Sequence, residues 1–160
     1  MGTVDRCFLT NFMVQLYYRG MAAKNGKPKV GRSARLLGVR PGIDIDVAQI
    51  LQGWLDSQGY LHPEEKRRDS GIEIGIAIRN TKGMSTSISI EGLPAFRKPC
   101  AFGGIGKDPL WQIDDSHIIE DLEAVQDGET HVSIMPRATM SLERYEAALA
   151  NTQKYWEKVN

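Results

Sequence analysis

The chain has 160 residues, about the length of one ordinary domain and enough to bury a hydrophobic core without disulfides. Its 20 lysine and arginine residues balance 20 aspartate and glutamate residues, so no overall charge would draw it to nucleic acid or to an anionic membrane. We therefore predict a single domain over residues 1–160, with a local basic patch as the remaining route to nucleic acid.

Cysteine and histidine usage argues against cross-links and metal sites. Cys7 and Cys100 are too few for a disulfide framework or a thiolate site, so we expect them to be small apolar residues in a reducing compartment. His62, His117 and His131 are scattered and do not pair at ligand spacing, so no metal is predicted. The sequence has no run of about 18 apolar residues and no signal-peptide pattern, which predicts a cytoplasmic protein without a membrane segment.

The N-terminal residues predict a strand followed by a basic segment. Residues 7–18 are rich in β-formers and predict one irregular strand or a strand pair, ending at Arg19-Gly20. Residues 21–35 are basic and interrupted by glycine, which predicts a solvated loop or arm. This arm is either a flexible tether or a contact for phosphate or for a partner.

Residues 36–46 predict a buried strand, a turn and a second strand with alternating acidic residues. Pro41-Gly42 is a strong turn signal, because proline presets the first corner and glycine accepts a positive φ at the second. Arg40 is therefore expected at a strand end. From there its side chain either reaches into a cleft or forms a surface ion pair with Asp44 or Asp46.

A one-sided apolar stripe predicts a helix over residues 47–60. Apolar side chains recur at the i, i+3, i+4, i+7 and i+8 spacing that is typical of an amphipathic helix. Asp46 is well placed to cap this helix, which we expect to end near Gly59. The stripe consists of Val47, Ile50, Leu51, Trp54 and Leu55.

The stretch over residues 83–90 alternates hydroxyl and apolar side chains and predicts a short strand. With a period of two, Ser85, Ser87 and Ser89 share one face, while the opposite face is apolar. Residues 72–79 also alternate, and the glycine-containing turn between the two segments predicts a hairpin. The hydroxyl face suits a polar ligand, although solvent-facing hydroxyls on an antiparallel edge strand give the same pattern.

The C-terminal part predicts strands and a helix around one glycine-rich segment. Residues 95–109 lack the lysine-serine ending of a Walker loop and predict a mobile loop over a cleft. Strands are predicted over residues 110–113 and 131–136, with an apolar and acidic segment over residues 118–125 between them. Ser141 is expected to cap a terminal helix. The apolar stripe of that helix comprises Leu142, Tyr145, Leu149 and Trp156.

The order of motifs from about residue 36 onward resembles a known group of small bacterial proteins. In that group a glycine-hydroxyl strand precedes a His-x-x-Ile-x-Pro strand and a terminal helix. The matching motifs are Gly38–Ile45, His62-Pro63, Gly83–Ser85, Trp111, Leu122–Asp127, His131–Pro136, Met140–Leu142 and Tyr145. This order resembles the domain of type VI secretion toxins built on the ADP-ribosyltransferase fold. The resemblance implies an α+β fold with a split, mostly antiparallel β core and flanking helices, which clamps NAD in a cleft.

The resemblance also implies roles for individual residues. Ser85 takes the place of the strand hydroxyl that supports the nicotinamide ribose. Arg40 or Arg19 would hold phosphate, a role that suits the fork of donors on arginine. Tyr18 and Trp111 would stack on nicotinamide or adenine, with buried core aromatics as the alternative assignment. NAD would be the substrate, and no metal is implied.

The catalytic carboxylate is the point at which the sequence departs from the better-known toxins. It lacks their Glu-x-Glu signature, and Glu129 is the nearest candidate for the role. His131 would hydrogen-bond a ribose hydroxyl, or else it is a histidine satisfied within a sheet. The functional hypothesis is an NAD-dependent toxin with a macromolecular target and a cognate immunity protein. The alternatives are an inactive binding module of the same fold that acts through a protein partner, and a nucleic-acid binder that uses residues 21–35.

Overall fold

The computed structural model describes residues 14–29, 39–50, 54–55, 57–58, 61–62 and 74–160. Over these ranges the protein is an α+β structure, made mostly of antiparallel strands with one α-helix among the described residues. The strands are β1 (Leu16–Gly20), β2 (Ala23–Lys24), β3 (Lys27–Pro28), β4 (Val47–Ile50), β5 (Trp54–Leu55), β6 (Leu61–His62), β7 (Ile74–Ala77), β8 (Met84–Ser87), β9 (Leu110–Asp114), β10 (Leu122–Gln126), β11 (His131–Pro136), β12 (Met140–Ser141) and β13 (Glu157–Lys158). The helix α1 spans Leu142–Asn151, and short 3-10 turns span Ala95–Arg97, Cys100–Phe102, Asp115–His117 and Gln153–Tyr155.

The main sheet has six strands in the order β10-β11-β8-β1-β9-β13, and its strand pairs are antiparallel. A second sheet has the order β12-β7-β4. The hairpin predicted between residues 72–79 and 83–90 is therefore wrong, because β7 and β8 belong to different sheets. Residues 78–83 instead cross between the sheets, and Gly83 allows the close approach, since a Cβ there would lie 2.6 Å from the carbonyl oxygen of Ile134.

The helix predicted over residues 47–60 is also wrong, since the described residues of this stretch form β4, β5 and a turn at residues 57–58. Val47–Ile50 pairs with β7 over four positions, and this non-local pairing overrides the helical spacing of the apolar residues. A glycine at position 53 further lowers the helix propensity. Asp46, the expected cap, accepts a hydrogen bond from Asn80 at 2.6 Å and pairs with Lys82 at 3.5 Å.

The turn at Pro41-Gly42 is confirmed. Gly42 has a φ of +81°, and its N–H donates to the carbonyl oxygen of Ile45 at 2.7 Å. The acidic strand predicted after it is wrong, because residues 42–44 belong to the turn and Pro41 forms an isolated bridge with Ile45. Ile45 is fully buried and anchors the turn in the core. Of the strand predicted over residues 36–40, residues 36–38 lie outside the described residues, and Val39 and Arg40 are not in a strand.

The described part of the basic segment is more ordered than a solvated arm. β2 and β3 form a two-stranded hairpin whose turn, Asn25-Gly26, has positive φ at both residues. Lys27 Nζ donates to the carbonyl oxygen of Lys154 at 3.2 Å, which ties the hairpin to the C-terminal residues. The expectation of an arm is corrected for residues 21–29, while residues 30–35 lie outside the described ranges.

The C-terminal predictions are confirmed in outline. β9 and β11 form where they were expected, and β10 lies at the end of the predicted apolar and acidic segment. Ser141 caps α1, since its Oγ accepts a hydrogen bond from the Arg144 N–H at 3.1 Å. Tyr145 joins the helix to two strands of the main sheet. Its hydroxyl donates to the carbonyl oxygen of Ile134 at 2.7 Å and accepts from the Met84 N–H at 3.2 Å.

Cys100 and Trp156 lie in places that the sequence did not predict. Cys100 is exposed, so it does not serve as a small apolar residue of the core, and Cys7 lies outside the described residues. Trp156 lies beyond the end of α1, but it is fully buried in the same core as Tyr145 and Leu149. Within the described ranges, none of the helices is both long and apolar enough to cross a membrane.

Candidate active site

A cavity lies where the main sheet is incompletely paired. β1 pairs with β9 at five positions and β8 pairs with β11 at four, but β1 and β8 pair only through Tyr18 and Ser87. A cavity of about 220 Å³ borders both strands at this place. Its walls come from the end of β1, from β8, from the turn after Val39 and from the segment around the first 3-10 turn.

Ser85 is the exposed hydroxyl of β8 at this cavity. Its neighbours Met84 and Thr86 are buried in the core, as the period of two requires. The predicted ladder does not extend beyond it, because Ser87 is buried and its Oγ donates to the carbonyl oxygen of Ser89 at 2.6 Å. The strand ends at Ser87 rather than at Ile90, so Ser85 carries the hydroxyl available to a ligand.

Ser85 belongs to a continuous chain of polar contacts. Its Oγ lies 2.7 Å from Nε2 of His131, which is its diagonal neighbour across the β8–β11 pair. On the other side of the imidazole, Nδ1 contacts Oδ1 of Asp127. The second oxygen of Asp127 accepts a hydrogen bond from Ser133 Oγ at 2.8 Å. We call these four residues the Ser85–Asp127 chain.

Asp127 is ionised at neutral pH within this chain. Partial burial by itself would raise the pKa of its carboxyl, but hydrogen bonds from His131 and Ser133 outweigh that effect and hold the pKa below its usual value. Asp127 and His131 stand at the two ends of a tight turn, which closes through a 3.0 Å hydrogen bond from the Asp127 N–H to the carbonyl oxygen of His131. The contact between them is therefore built into the backbone.

Three arginines, Arg19, Arg40 and Arg97, line the same cavity, and we call them the arginine wall. Arg19 is 2% exposed, and its Nη1 donates to the carbonyl oxygen of Ser85 at 2.7 Å. Burial, together with the nearby charge of Arg97, lowers the pKa of Arg19 to about 10, so it remains a cation at neutral pH.

Arg40 and Arg97 are held in different ways. Arg40 forms a two-pronged ion pair with Asp44, with distances of 3.0 Å from Nε and 3.1 Å from Nη2, so the surface-pair alternative considered for it is what the structure shows. Arg40 nevertheless also borders the cavity. Arg97 is half-buried, and its Nη1 lies 3.5 Å from the carbonyl oxygen of Gly20. A Cβ at Gly20 would collide with the carbonyl oxygen of Arg97, so only glycine permits this approach.

The aromatic candidates are not part of the cavity wall. Trp111 is 1% exposed, and its Nε1 donates to the carbonyl oxygen of Met21 at 2.8 Å. A ring this buried has no free face for nicotinamide or adenine, so the stacking assignment of Trp111 is corrected to that of a core aromatic. Tyr18 is half-buried beside Ser87 in the sheet, and its stacking role stays a prediction. Phe96, which is 65% exposed, is the aromatic that borders the cavity.

Glu129 and Asp127 differ in their relation to His131. Glu129 is exposed in the turn, and its carbonyl oxygen accepts a hydrogen bond from Gln126 at 3.0 Å. The carboxylate that contacts His131 belongs to Asp127, two residues earlier. The sequence contained a signal for this pair, namely an acidic residue at the start of a predicted turn and a histidine at its end. Arg97 had no such signal, because its partner Gly20 is remote in sequence.

In the part of the chain that the structure describes, no group of three or more histidine, cysteine, aspartate or glutamate side chains is arranged to hold a metal ion. The polar groups that line the cavity are hydroxyls, the imidazole of His131, the three guanidinium groups and the carboxylate of Asp44. Guanidinium groups suit phosphate because they offer paired donors and a permanent charge. A serine bonded to a histidine suits the binding or activation of a hydroxyl.

The fold and the site define a small α+β protein with a polar, arginine-lined cavity at an incompletely paired position of its sheet. A family model described as Tse2 ADP-ribosyltransferase toxin matches residues 16–158, and the chain belongs to this family. The match confirms the family predicted from the sequence, and it spans every residue of the Ser85–Asp127 chain and of the arginine wall. No curated protein and no solved structure matches the chain.

Proposed function

We propose that this protein is a toxin that uses NAD as the substrate of an ADP-ribosyltransferase reaction. It cleaves the bond between nicotinamide and ribose and transfers ADP-ribose to a macromolecular target. The observation that supports this proposal best is the Ser85–His131 contact at a cavity lined by three arginines, in a chain of an ADP-ribosyltransferase toxin family. The single paired position between β1 and β8 is consistent with the split β core of that fold.

The size of the cavity suggests which part of NAD enters it. A volume of about 220 Å³ is below the roughly 300–1,000 Å³ of pockets that bury a whole drug-sized ligand. We assign the cavity to the nicotinamide and its ribose, with the rest of NAD extending over the arginine wall. Arg40 and Arg19 remain the proposed phosphate ligands. Arg97 joins them because it borders the cavity and, among the described residues, no ion pair engages it.

The reaction requires stabilisation of positive charge on the ribose. Nicotinamide leaves as the C1′–N bond breaks, and the ribose passes through an oxocarbenium-like state before a nucleophile of the target adds to C1′. In our proposal Ser85, held in place by His131, binds a ribose hydroxyl. Hydrogen bonds aimed at the ribose accelerate the reaction only to the extent that they strengthen in the transition state.

The alternative is a binding module that keeps the fold and acts through a protein partner without turning over NAD. The absence of the Glu-x-Glu signature favours it. Delivery by a type VI secretion system, action in the cytoplasm and a cognate immunity protein are further parts of the toxin proposal. Binding of nucleic acid through residues 21–35 is a weaker alternative, because the described part of that segment is a hairpin packed on the C-terminal residues.

Release of nicotinamide from NAD by the purified protein tests the proposal. We expect the wild-type protein to release nicotinamide and to show an NAD-dependent rise in melting temperature. Ser85→Ala should lose release by about 100-fold or more, the usual scale for a group that contacts the reacting centre. Thr81→Ala, which removes an exposed hydroxyl away from the cavity, is the matched control and should release nicotinamide normally.

The same experiment separates the two functional candidates. Binding without release would leave a module that recognises NAD or its fragments. If the protein neither binds NAD nor releases nicotinamide, the NAD proposal fails and the search turns to a protein partner.

A further inference from the structure

We propose that Asp127 is the positioning carboxylate of this site, holding His131 so that Nε2 serves Ser85, and that it takes the place of the missing Glu-x-Glu carboxylate. This inference rests on the proposed function. Glu129 was expected to act on the ribose directly, whereas Asp127 acts through His131. Asp127 does not line the cavity itself, so its effect on a ribose passes through His131 and Ser85.

The turn that carries Asp127 is fixed by several hydrogen bonds. The hydrogen bond from its N–H to the carbonyl oxygen of His131 fixes both residues at the end of the β10–β11 hairpin. Gln126 Nε2 donates to the carbonyl oxygens of Gly128 and Glu129, at 3.1 and 3.0 Å, and these two hydrogen bonds further stabilise the turn. These contacts all lie within the turn and its two strands, so they hold Asp127 independently of the cavity.

Both carboxylate oxygens of Asp127 have partners within the site. One oxygen contacts Nδ1 of His131, and the other accepts the hydroxyl of Ser133. Ser133 is buried and lies directly opposite Ser85 in the strand register, so its position is set by the sheet. A carboxylate with this fixed orientation holds the imidazole plane in turn, as a third group orients the base in hydrolase triads.

The charge of Asp127 determines which nitrogen of a neutral His131 carries the proton. An ionised carboxylate only accepts hydrogen bonds, so the proton of a neutral His131 must lie on Nδ1. Its Nε2 then carries a lone pair and accepts the hydroxyl proton of Ser85. Because Ser85 donates its proton to His131, the lone pairs of Ser85 Oγ can accept a hydrogen bond from a ribose hydroxyl. Negative charge on Asp127 thereby polarises the hydrogen bonds that reach the ribose as positive charge develops at C1′, with no net proton transfer required.

The decisive experiment measures kcat and KM for nicotinamide release in the full chain. We expect Asp127→Asn to lower kcat by about 10- to 100-fold, the usual cost of removing a group that orients a functional histidine, with KM changed by less than about threefold. Glu157→Gln removes an exposed carboxylate on the edge strand β13 and should match the wild type. Normal release by Asp127→Asn would overturn the proposal, and so would loss of release in Glu129→Gln alone.

A nitrogen NMR measurement of His131 distinguishes positioning from a merely structural role and does not depend on activity. The wild-type imidazole should be in the Nδ1–H form, and Asp127→Asn should raise the share of the Nε2–H form while the melting temperature falls by no more than a few degrees. An unchanged tautomer in this variant would overturn the proposal. If the wild type releases no nicotinamide, the proposed function fails by itself, and the tautomer still decides whether Asp127 orients His131.

Discussion

The two sides of the cavity are held by different kinds of structure. The Ser85–Asp127 chain lies on β8 and β11, which pair at four positions, and on the tight turn between β10 and β11. The arginine wall is assembled from a strand end, a turn and a 3-10 segment that are far apart in sequence. One side is therefore set by sheet register and by contacts four to six residues apart. The other side depends on how remote segments pack, so changes on the two sides should have different effects.

The largest effect on stability is expected for Arg19, the member of the arginine wall that enters the core. Arg19→Ala leaves the carbonyl oxygen of Ser85 without this donor and opens a cavity, which together should lower the free energy of unfolding by about 2–5 kcal/mol. Urea denaturation measures this loss. Arg19→Met keeps most of the volume and should lose less. Equal losses in the two variants would show that packing volume is not part of the effect.

The largest effect on turnover with little change in stability is expected for His131. The side chain is exposed on one side, and its contacts are those of the Ser85–Asp127 chain. His131→Ala should lower kcat by about 100-fold or more, the scale of a lost acid–base or orienting group, and should shift the melting temperature by only a few degrees. A variant that unfolds instead would mean that the histidine is mainly a structural residue of the sheet.

Arg97 tests the arginine wall itself. Arg97→Ala should raise KM for NAD by about 10- to 100-fold and change kcat little, because a lost charge-assisted hydrogen bond costs about 1.5–3 kcal/mol and 1.4 kcal/mol corresponds to a factor of ten. Lys107→Ala removes an exposed cation from the same loop and is the matched control. Arg40→Ala should have a smaller effect than Arg97→Ala, since Asp44 already occupies two of its donors. The reverse order would return the phosphate role to Arg40.

How much of this could be predicted from the sequence depended on whether the deciding contact was local. The Pro41-Gly42 turn, the Ser141 cap and the strand over residues 131–136 follow from neighbouring residues, and all three formed as expected. The helix over residues 47–60 failed because pairing with β7, more than 20 residues away, decides the conformation of Val47–Ile50. The spacing of apolar residues within one segment cannot show which remote strand that segment will pair with.

The candidate site divides in the same way. Ser85 and His131 were predicted, and the structure brings them into contact, although their roles remain proposals. Asp127 was within reach of sequence reasoning, because it begins the turn that His131 ends. Arg97 was not, because its approach to Gly20 joins segments 77 residues apart. The sequence therefore identified Ser85 and His131 through the family motifs and contained Asp127 within the turn, whereas the packing that brings Arg97 to the cavity had no signal.

The pH dependence of stability isolates the charge of Asp127. Its pKa is lower in the folded protein than in the unfolded chain, so its stabilising contribution is fully present above the unfolded value of about 3.9. The contribution disappears as the pH falls through the folded value. We expect the difference in unfolding free energy between wild type and Asp127→Asn to stay constant above about pH 5 and to shrink over the acidic range below about pH 4. A difference that does not change over this range would show that its charge adds nothing to folding.

The smallest effect is expected for Ser133, which holds the far oxygen of Asp127. Ser133→Ala removes that hydrogen bond but leaves the contact between Asp127 and His131, so kcat should fall only by about two- to fivefold. Since Ser133 is buried, some loss of stability will accompany the change, and Ser133→Cys serves as a control of similar size. A fall as large as that of Asp127→Asn would mean that Ser133 fixes the orientation of the carboxylate. No fall at all would mean that the backbone turn alone holds Asp127 in place.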